Sequence, residues 1–486
     1  MLSTPATIAT ARRVLGLTPD ELGDLLHVSA RTIRHWESGK HVPPAGAIID
    51  YRKLLDEHDI TVRAVRAVVA VPGSKSLTNR HLLLAAIADA PMRIRGALDS
   101  RDSRLMIDAL RALGARIEQE GRDLLITPVP EEPSDEPAVI DAGLAGTIMR
   151  FIPPLAAALG RGLVLDGDAA ARKRPMGPVL EAVRQLGARV HEDGEAGALP
   201  VRIVPGTGPA ASELRIDASG SSQFLSGVLL AAALLPGGLT VRHVGEQLPS
   251  VPHVRMTVQV LAEYGIDVAH PDPTTWVVPA GRPRAHDAVI EPDLSNAGPF
   301  LAAAVVTGGD VEIPDWPQRT TQGGDAWREL LPRFGASVRR TPDGGLRVTG
   351  PAGGARALTA PGEIDLRAAG EIAPTVAAIA ALCPGTTRLS GIAHLRGHET
   401  DRLAALAAEL TRLGAGTEET ADGLVITGPA HRAARMRTYE DHRMATAAAV
   451  LGLIVPGVLV ENVATTGKTL PDFPGLWRRM LGEERA

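Results

Sequence analysis

The stretch Leu229–Val241, LLAAALLPGGLTV, runs an Ala/Leu-rich helix through a Pro-Gly-Gly turn into a short β-branched strand. The same pattern returns five times. It reads LLLAAIADAPMRI from Leu82, PLAAALGRGLVL from Pro154, FLAAAVVTGGDVEI from Phe300, VAAIAALCPGTTRL from Val376 and ATAAAVLGLIVPGVLV from Ala445. The turn glycines Gly162, Gly238, Gly309, Gly385 and Gly457 lie 76, 71, 76 and 72 residues apart, and Ala90 holds the equivalent place 72 residues before Gly162. A regular period of this kind marks one supersecondary unit used repeatedly.

A second helix follows each strand and ends on glycine, as in RLMIDALRALGA, GPVLEAVRQLGA, TVQVLAEYGI, WRELLPRFGA, LAALAAELTRLGA and LWRRMLG. The terminating residues Gly114, Gly187, Gly265, Gly335, Gly414 and Gly482 suit a left-handed helix end. Alternating strands such as Ala115–Glu118 and Ala188–His191 come next. One such unit cannot bury its sheet face and helices alone, so sister units must pack together. The period exceeds that of ordinary solenoids, which favours two compact α/β domains of three units each. The Pro-rich stretch Pro271–Pro292 separates the third unit from the fourth.

The 486 residues are 44% hydrophobic and 22% charged, which is globular composition and excludes a mainly disordered chain. No apolar run approaches the roughly 20 residues of a membrane span, and the N-terminus MLSTPATIATARR lacks the pattern of a secretion signal. A soluble, cytoplasmic protein is expected. Cys383 is the sole cysteine, which excludes an intramolecular disulfide and any multi-cysteine metal site.

Residues 1–58 do not carry the repeat. Pro5–Leu15 reads as a helix; Thr18 with Glu21 forms a capping box for a second helix, Pro19–His27; and Ala30–Ser38 forms a third. The pair resembles the helix-turn-helix of phage-repressor-like DNA-binding proteins, with Arg31, Thr32 and Arg34 placed to face a groove. Seven Lys/Arg balance seven Asp/Glu here, so a DNA-binding role would require dimerisation to gain affinity, and partner docking is the alternative.

Polar residues gather just ahead of the Ala-rich helices, where buried helices have no structural need for them. VPGSKSLTNR (Val71–Arg80) places Lys75 and Ser76 in the first turn of a helix with Arg80 one turn on, a setting for phosphate or carboxylate. The second unit opens DAGLAGTIMR, with Gly143 and Gly146 allowing close backbone approach, and continues with Arg174 in ARKRPMGP. The third opens SGSSQF with Ser221, Ser222 and Gln223. The fifth opens AAGEIAPT with Glu371, followed by HLRGHETDR. The sixth opens YEDHRMAT with Arg443, followed by TTGKTLPD with Lys468. If these ends converge, Lys75, Arg80, Arg174, Arg402, Arg443 and Lys468 surround ligands of several negative charges, and Glu371 and Glu399 are placed for proton transfer. His394, His398 and Glu399 superficially suggest a metal site, but no third ligand of suitable spacing is evident, so none is assigned. Cys383, at the end of an apolar helix, is expected to pack.

From about residue 60 to the end, the ordered motifs PGSKSLTNR, AGTIMR, RPMGP, SSQF, ETDRL, DHRMA and KTLPD resemble the EPSP synthase (3-phosphoshikimate 1-carboxyvinyltransferase) family. The resemblance implies two similar domains of three units closing over a cleft. It places residues 59–72 with 293–486 and leaves 73–292 as the other domain. It implies transfer of the enolpyruvyl group of phosphoenolpyruvate to the 5-hydroxyl of shikimate 3-phosphate, with no cofactor. By motif, Lys75, Ser76, Arg80, Ser221, Ser222, Gln223 and Ser250 would hold shikimate 3-phosphate, together with Glu371 and His398. Lys75, Gly146, Arg174, Gln223, Arg402, Arg443 and Lys468 would hold phosphoenolpyruvate. Glu371 would be the base, Glu399 the proton donor, and Lys75 would touch both substrates.

Glu371 stands where the family usually has aspartate, Leu144 where it has asparagine and His398 where it has lysine. The charge of His398 is expected to depend on pH near neutrality, and Arg255 replaces a carboxylate with no effect assigned. The sister transferase acting on UDP-N-acetylglucosamine generally uses a cysteine in its N-terminal half, and this chain has none before Cys383. The alternative of another class is a helix-turn-helix regulator with a transferase-like ligand sensor. Retention of both proton-handling carboxylates argues against it.

Overall fold

The structure is a computed structural model that describes Ala9, Arg12, 17–44, Ala47, 64–121, 123–131, 136–206 and 211–482. The chain divides into two compact units. One comprises Met1–Val71, Leu294–Gln318 and Gly323–Ala486; the other comprises Pro72–Asp293 and Arg319–Gln322. Each has its own apolar core.

The repeat seen in the sequence is a repeat of sheets. In the third unit Glu213–Ile216 pairs parallel with Leu239–His243, which pairs antiparallel with Thr275–Val278, and Ala269–Asp272 closes the hairpin. The same order, one parallel pair and then an antiparallel hairpin, recurs in five four-stranded sheets among the described residues. Two of these borrow their parallel edge strand from elsewhere in the chain. Arg66–Val68 pairs with Asp310–Ile313, with Arg66 opposite Asp310, while Ala288–Val289 pairs with Met92–Arg95. The sixth unit departs from the pattern and keeps a parallel pair alone, Arg435–Met436 with Leu459–Val460.

In the four units that keep their own parallel pair, the connection passes through an apolar lead helix: Gly146–Ala158, Ser222–Ala232, Ala373–Leu382 and His442–Gly452. Every residue of Ala373–Leu382 is buried, so its sequence shows no polar face. The second helices, such as Arg101–Ala112 and Arg402–Arg412, bury one stripe only. All six of their terminal glycines, from Gly482 at φ 71° to Gly114 at φ 103°, adopt the left-handed conformation that stops the helix. Lead helices also approach one another closely. A Cβ on Gly227 would lie 2.2 Å from the Arg150 carbonyl oxygen, so glycine there lets Ser222–Ala232 settle against Gly146–Ala158.

The N-terminal pair of helices is Pro19–Leu25 and Ala30–Glu37, capped by Thr18 with Glu21 and by Ser29. A Cβ at Gly23, within the first of these helices, would sit 2.6 Å from the Val28 carbonyl oxygen, so glycine there lets the following turn pack against the helix. Leu22, Ile33 and Trp36 are buried. The expected helix Pro5–Leu15 lies, apart from Ala9 and Arg12, outside the described residues.

Candidate active site

Arg402 opens its helix with no exposure and organises the carboxylates around it. Its Nε donates to Asp441 Oδ2 at 2.7 Å, one terminal nitrogen donates to Glu399 Oε2 at 2.8 Å, and the other to Glu371 Oε2 at 3.3 Å. That last nitrogen also lies 3.2 Å from His398 Nδ1. Lys468, at the end of the short helix Val463–Lys468, donates to Glu399 Oε1 at 2.6 Å. Arg443 enters the lead helix His442–Gly452, donates to Asn296 Oδ1 at 3.1 Å and stands 3.7 Å from Glu371 Oε2. Within this unit, then, Glu371, His398, Glu399, Arg402, Arg443 and Lys468 form one cluster, drawn from positions up to 97 residues apart.

Burial pushes the Glu371 carboxyl up, but Arg402, followed by His398 and Arg443, outweighs it and holds that group well below the usual carboxylate range. Glu399 is likewise raised by burial and held well below that range by Lys468 and Arg402. Both are ionised at neutral pH. His398 corrects the sequence expectation. Burial, with Arg402 beside it, lowers its pKa to about 3, so it is neutral throughout the physiological range rather than a switch near pH 7. A guanidinium only donates, so Nδ1 of His398 is the acceptor and the ring proton sits on Nε2.

In the other unit Ser74 caps the helix Lys75–Ala85 by accepting from the Leu77 amide. Lys75 Nζ lies 3.3 Å from Asp102 Oδ2, a carboxylate buried at the head of the following helix. Arg80 is buried and donates to Thr257 Oγ1 at 2.8 Å, the Ser76 carbonyl oxygen at 2.9 Å and the His253 carbonyl oxygen at 3.1 Å. None of these acceptors carries charge, and burial lowers its pKa to about 9, which leaves it a cation at neutral pH. Gly146 begins a lead helix with no side-chain cap. A Cβ there would meet Gln223 Oε1 at 2.9 Å, Arg174 Nη2 at 3.1 Å and Arg150 Nη1 at 3.2 Å. A bare helix start is thus ringed by two guanidiniums and an amide, and the Nε of Arg174 is buried without a hydrogen-bond partner. Ser221 caps the Gln223 amide, Ser222 is buried, and Ser250 adopts φ 49°, strained for a serine, at the head of the helix carrying Thr257.

Sequence reading missed Asp441, Asn296 and Arg150 as members of these clusters. Asp441 is fully buried, grips Arg402 through two oxygens and caps the Arg443 amide at 2.8 Å. An aspartate directly before an apolar helix could have signalled the cap, though not the arginine it holds. Among the described residues no group of three His, Cys, Asp or Glu is arranged to hold a metal. Cys383 is buried, and its Sγ lies 3.3 Å from the Ile379 carbonyl oxygen. On the N-terminal pair of helices Arg31 and Arg34 are exposed, whereas the Thr32 hydroxyl pairs with Ser29 Oγ at 2.9 Å. Arg255 is also exposed.

The family model described as EPSP synthase (3-phosphoshikimate 1-carboxyvinyltransferase) matches residues 61–477. The chain belongs to the EPSP synthase family. A 3-phosphoshikimate 1-carboxyvinyltransferase of Kocuria rhizophila is 55% identical over 429 residues, spanning 86% of this chain and 95% of that one. The structure of an EPSP synthase from Acinetobacter baumannii superposes with a TM-score of 0.69 at 25% identity, covering 86% of this chain and 96% of the other. The enolpyruvyl transferase NikO from Streptomyces tendae shares the fold, with a TM-score of 0.66 at 20% identity and coverage of 86% and 96%. The helix-turn-helix residues precede the part of the chain that the EPSP synthase family model matches. No helix among the described residues is long and apolar enough to cross a membrane.

Proposed function

We propose that the protein transfers the enolpyruvyl group of phosphoenolpyruvate to the 5-hydroxyl of shikimate 3-phosphate, releasing phosphate, in the cytoplasm. The observation that carries this reading is the Arg402 cluster, where two ionised carboxylates stand against two arginines and a lysine. Family membership supports it. In the proposed sequence Glu371 takes the proton of the 5-hydroxyl as its oxygen bonds to C2 of phosphoenolpyruvate, and Glu399 gives a proton to C3. The tetrahedral intermediate then loses phosphate from C2 and a proton from C3 to form the enol ether. Arg402, Arg443 and Lys468, with Lys75, Gly146, Arg174 and Gln223, are assigned to phosphoenolpyruvate. Ser76, Arg80, Ser221, Ser222 and Ser250, with Lys75, Gln223 and His398, are assigned to shikimate 3-phosphate. Fixed cations stabilise the charge that develops at the transferring group, and side chains alone carry the steps.

A phosphate-release assay with both substrates tests this. The parent is expected to turn over, and Lys75→Ala to lose at least about 10²-fold. Saturable binding of shikimate 3-phosphate without turnover would support the ligand-sensor alternative instead.

For the N-terminal helices we propose a DNA backbone contact, supported by the exposure of Arg31 and Arg34 beside buried Ile33 and Trp36. With no net charge on residues 1–58, binding is expected only at low salt. Titration of the whole protein against duplex DNA at two salt concentrations should show salt-sensitive binding that Arg31→Ala and Arg34→Ala together remove. No binding even at the lower salt rejects the proposal.

A further inference from the structure

Glu409 is a buried carboxylate that the reaction above does not use. It lies seven residues after Arg402 on the same helix, two turns on, so both side chains leave from one face. That face meets the segment Arg437–Asp441. At one end Asp441 holds Arg402. At the other, Glu409 Oε1 accepts from the Tyr439 hydroxyl at 2.8 Å and Oε2 accepts from the Arg437 amide at 3.1 Å. Arg412, half in solvent, supplies the countercharge, its Nη1 lying 3.0 Å from both oxygens.

The segment between these anchors is strained. Tyr439 and Glu440 are consecutive non-glycine residues in the left-handed region, at φ 53° and 56°. Two such residues persist only when their surroundings fix them. The Asp441 amide bonds back to the Thr438 carbonyl oxygen at 2.8 Å, so the turn delivers Asp441 directly to its two tasks, gripping Arg402 and capping the helix that begins His442-Arg443.

We propose that Glu409, through Tyr439, is a positioning residue for the anion site. It latches the strained turn, and so fixes where Asp441 sets Arg402 and Arg443. The inference rests on the assignment of phosphoenolpyruvate to those two arginines. Glu409 touches no reacting atom, and its effect reaches the reaction only through the Arg402–Asp441 pair.

Tyr439→Phe removes one hydroxyl and leaves the buried carboxylate with its arginine. Loss of one hydrogen bond to a charged group is expected to raise KM for phosphoenolpyruvate by about 5- to 30-fold. KM for shikimate 3-phosphate should stay within about twofold. Amide exchange of residues 437–443 should accelerate in Tyr439→Phe, a readout independent of turnover. A merely structural role would lower thermal stability and move both KM values alike. Unchanged exchange with KM for phosphoenolpyruvate within twofold, or equal rises in both KM values, overturns the latch. A parent without turnover rejects the transferase reading instead, and the exchange measurement still decides whether Tyr439 holds the turn.

Discussion

Arg402→Met is expected to lower phosphate release by about 10³-fold and to destabilise its unit by about 3–5 kcal/mol. Three carboxylates, those of Glu371, Glu399 and Asp441, share this one guanidinium, and Asp441 has no solvent exposure. Methionine fills comparable space but leaves those charges facing one another, and the penalty for uncompensated buried charge dominates over lost packing. The pH dependence follows from the sign of the shifts. Glu371 and Glu399 titrate below their unfolded values, near about 4.3. The stability they supply is therefore complete above that pH and is lost as pH falls through their folded values. The difference between parent and variant should accordingly be widest near neutrality and shrink below about pH 4. Arg402→Lys restores one charge without the planar fork, so it should recover part of the stability and little of the turnover. Denaturant unfolding at several pH values, run beside the phosphate assay, checks both halves. Turnover within tenfold of the parent would remove Arg402 from the centre of the site.

The fold was largely legible because its repeat is written in glycines. Gly114, Gly187, Gly265, Gly335, Gly414 and Gly482 each end a second helix in the left-handed region, and no other residue type does that so cheaply. The strand exchange at Arg66–Val68 could not be read from residues 64–70 themselves. A three-residue edge strand has no periodicity long enough to show its partner, Asp310–Ile313, which pairs it at a separation of 244 residues, with Val68 opposite Glu312. The loss of the hairpin in the sixth unit was hidden for the opposite reason, since its helix and glycine turn match the pattern up to Val460. Site chemistry divided in the same way. Lys75, Arg174 and Lys468 stood out as cations beside glycine and proline turns, where burial alone gives no reason for charge. Asp441 and Glu409 were silent, because an N-cap aspartate and a glutamate on a half-polar helix both have ordinary local explanations. Their partners come from distant segments, and only the packed structure shows which ones. His398 shows the limit most sharply. Its identity was visible, but its protonation depends on Arg402 and on burial, neither of which the local sequence specifies.

Glu399→Gln should lower phosphate release by at least about 10²-fold while leaving the fold intact, because the amide keeps the length of the side chain and loses its proton chemistry. The cations beside this residue set a condition on that role. As proton donor to C3 it must carry a proton, yet Lys468 at 2.6 Å and Arg402 at 2.8 Å hold its carboxylate ionised. An anionic substrate resolves it. In the proposed complex, where phosphate or carboxylate oxygens of phosphoenolpyruvate pair with Lys468 and Arg402, the cations would no longer stabilise Glu399 alone, the like charge of the substrate would oppose its ionisation, and its pKa would rise. Binding should therefore take up protons from solution near neutral pH. Calorimetry of phosphoenolpyruvate binding in two buffers of different ionisation enthalpy, with shikimate 3-phosphate present and Glu371→Gln used to block turnover, reads that uptake directly. The added substitution Glu399→Gln should abolish most of it. The kcat of the parent should also decline as pH rises through the elevated pKa of Glu399 in the complex, since the acid form disappears there. Equal proton uptake with and without Glu399, or turnover of Glu399→Gln within tenfold of the parent, would assign the proton to another group.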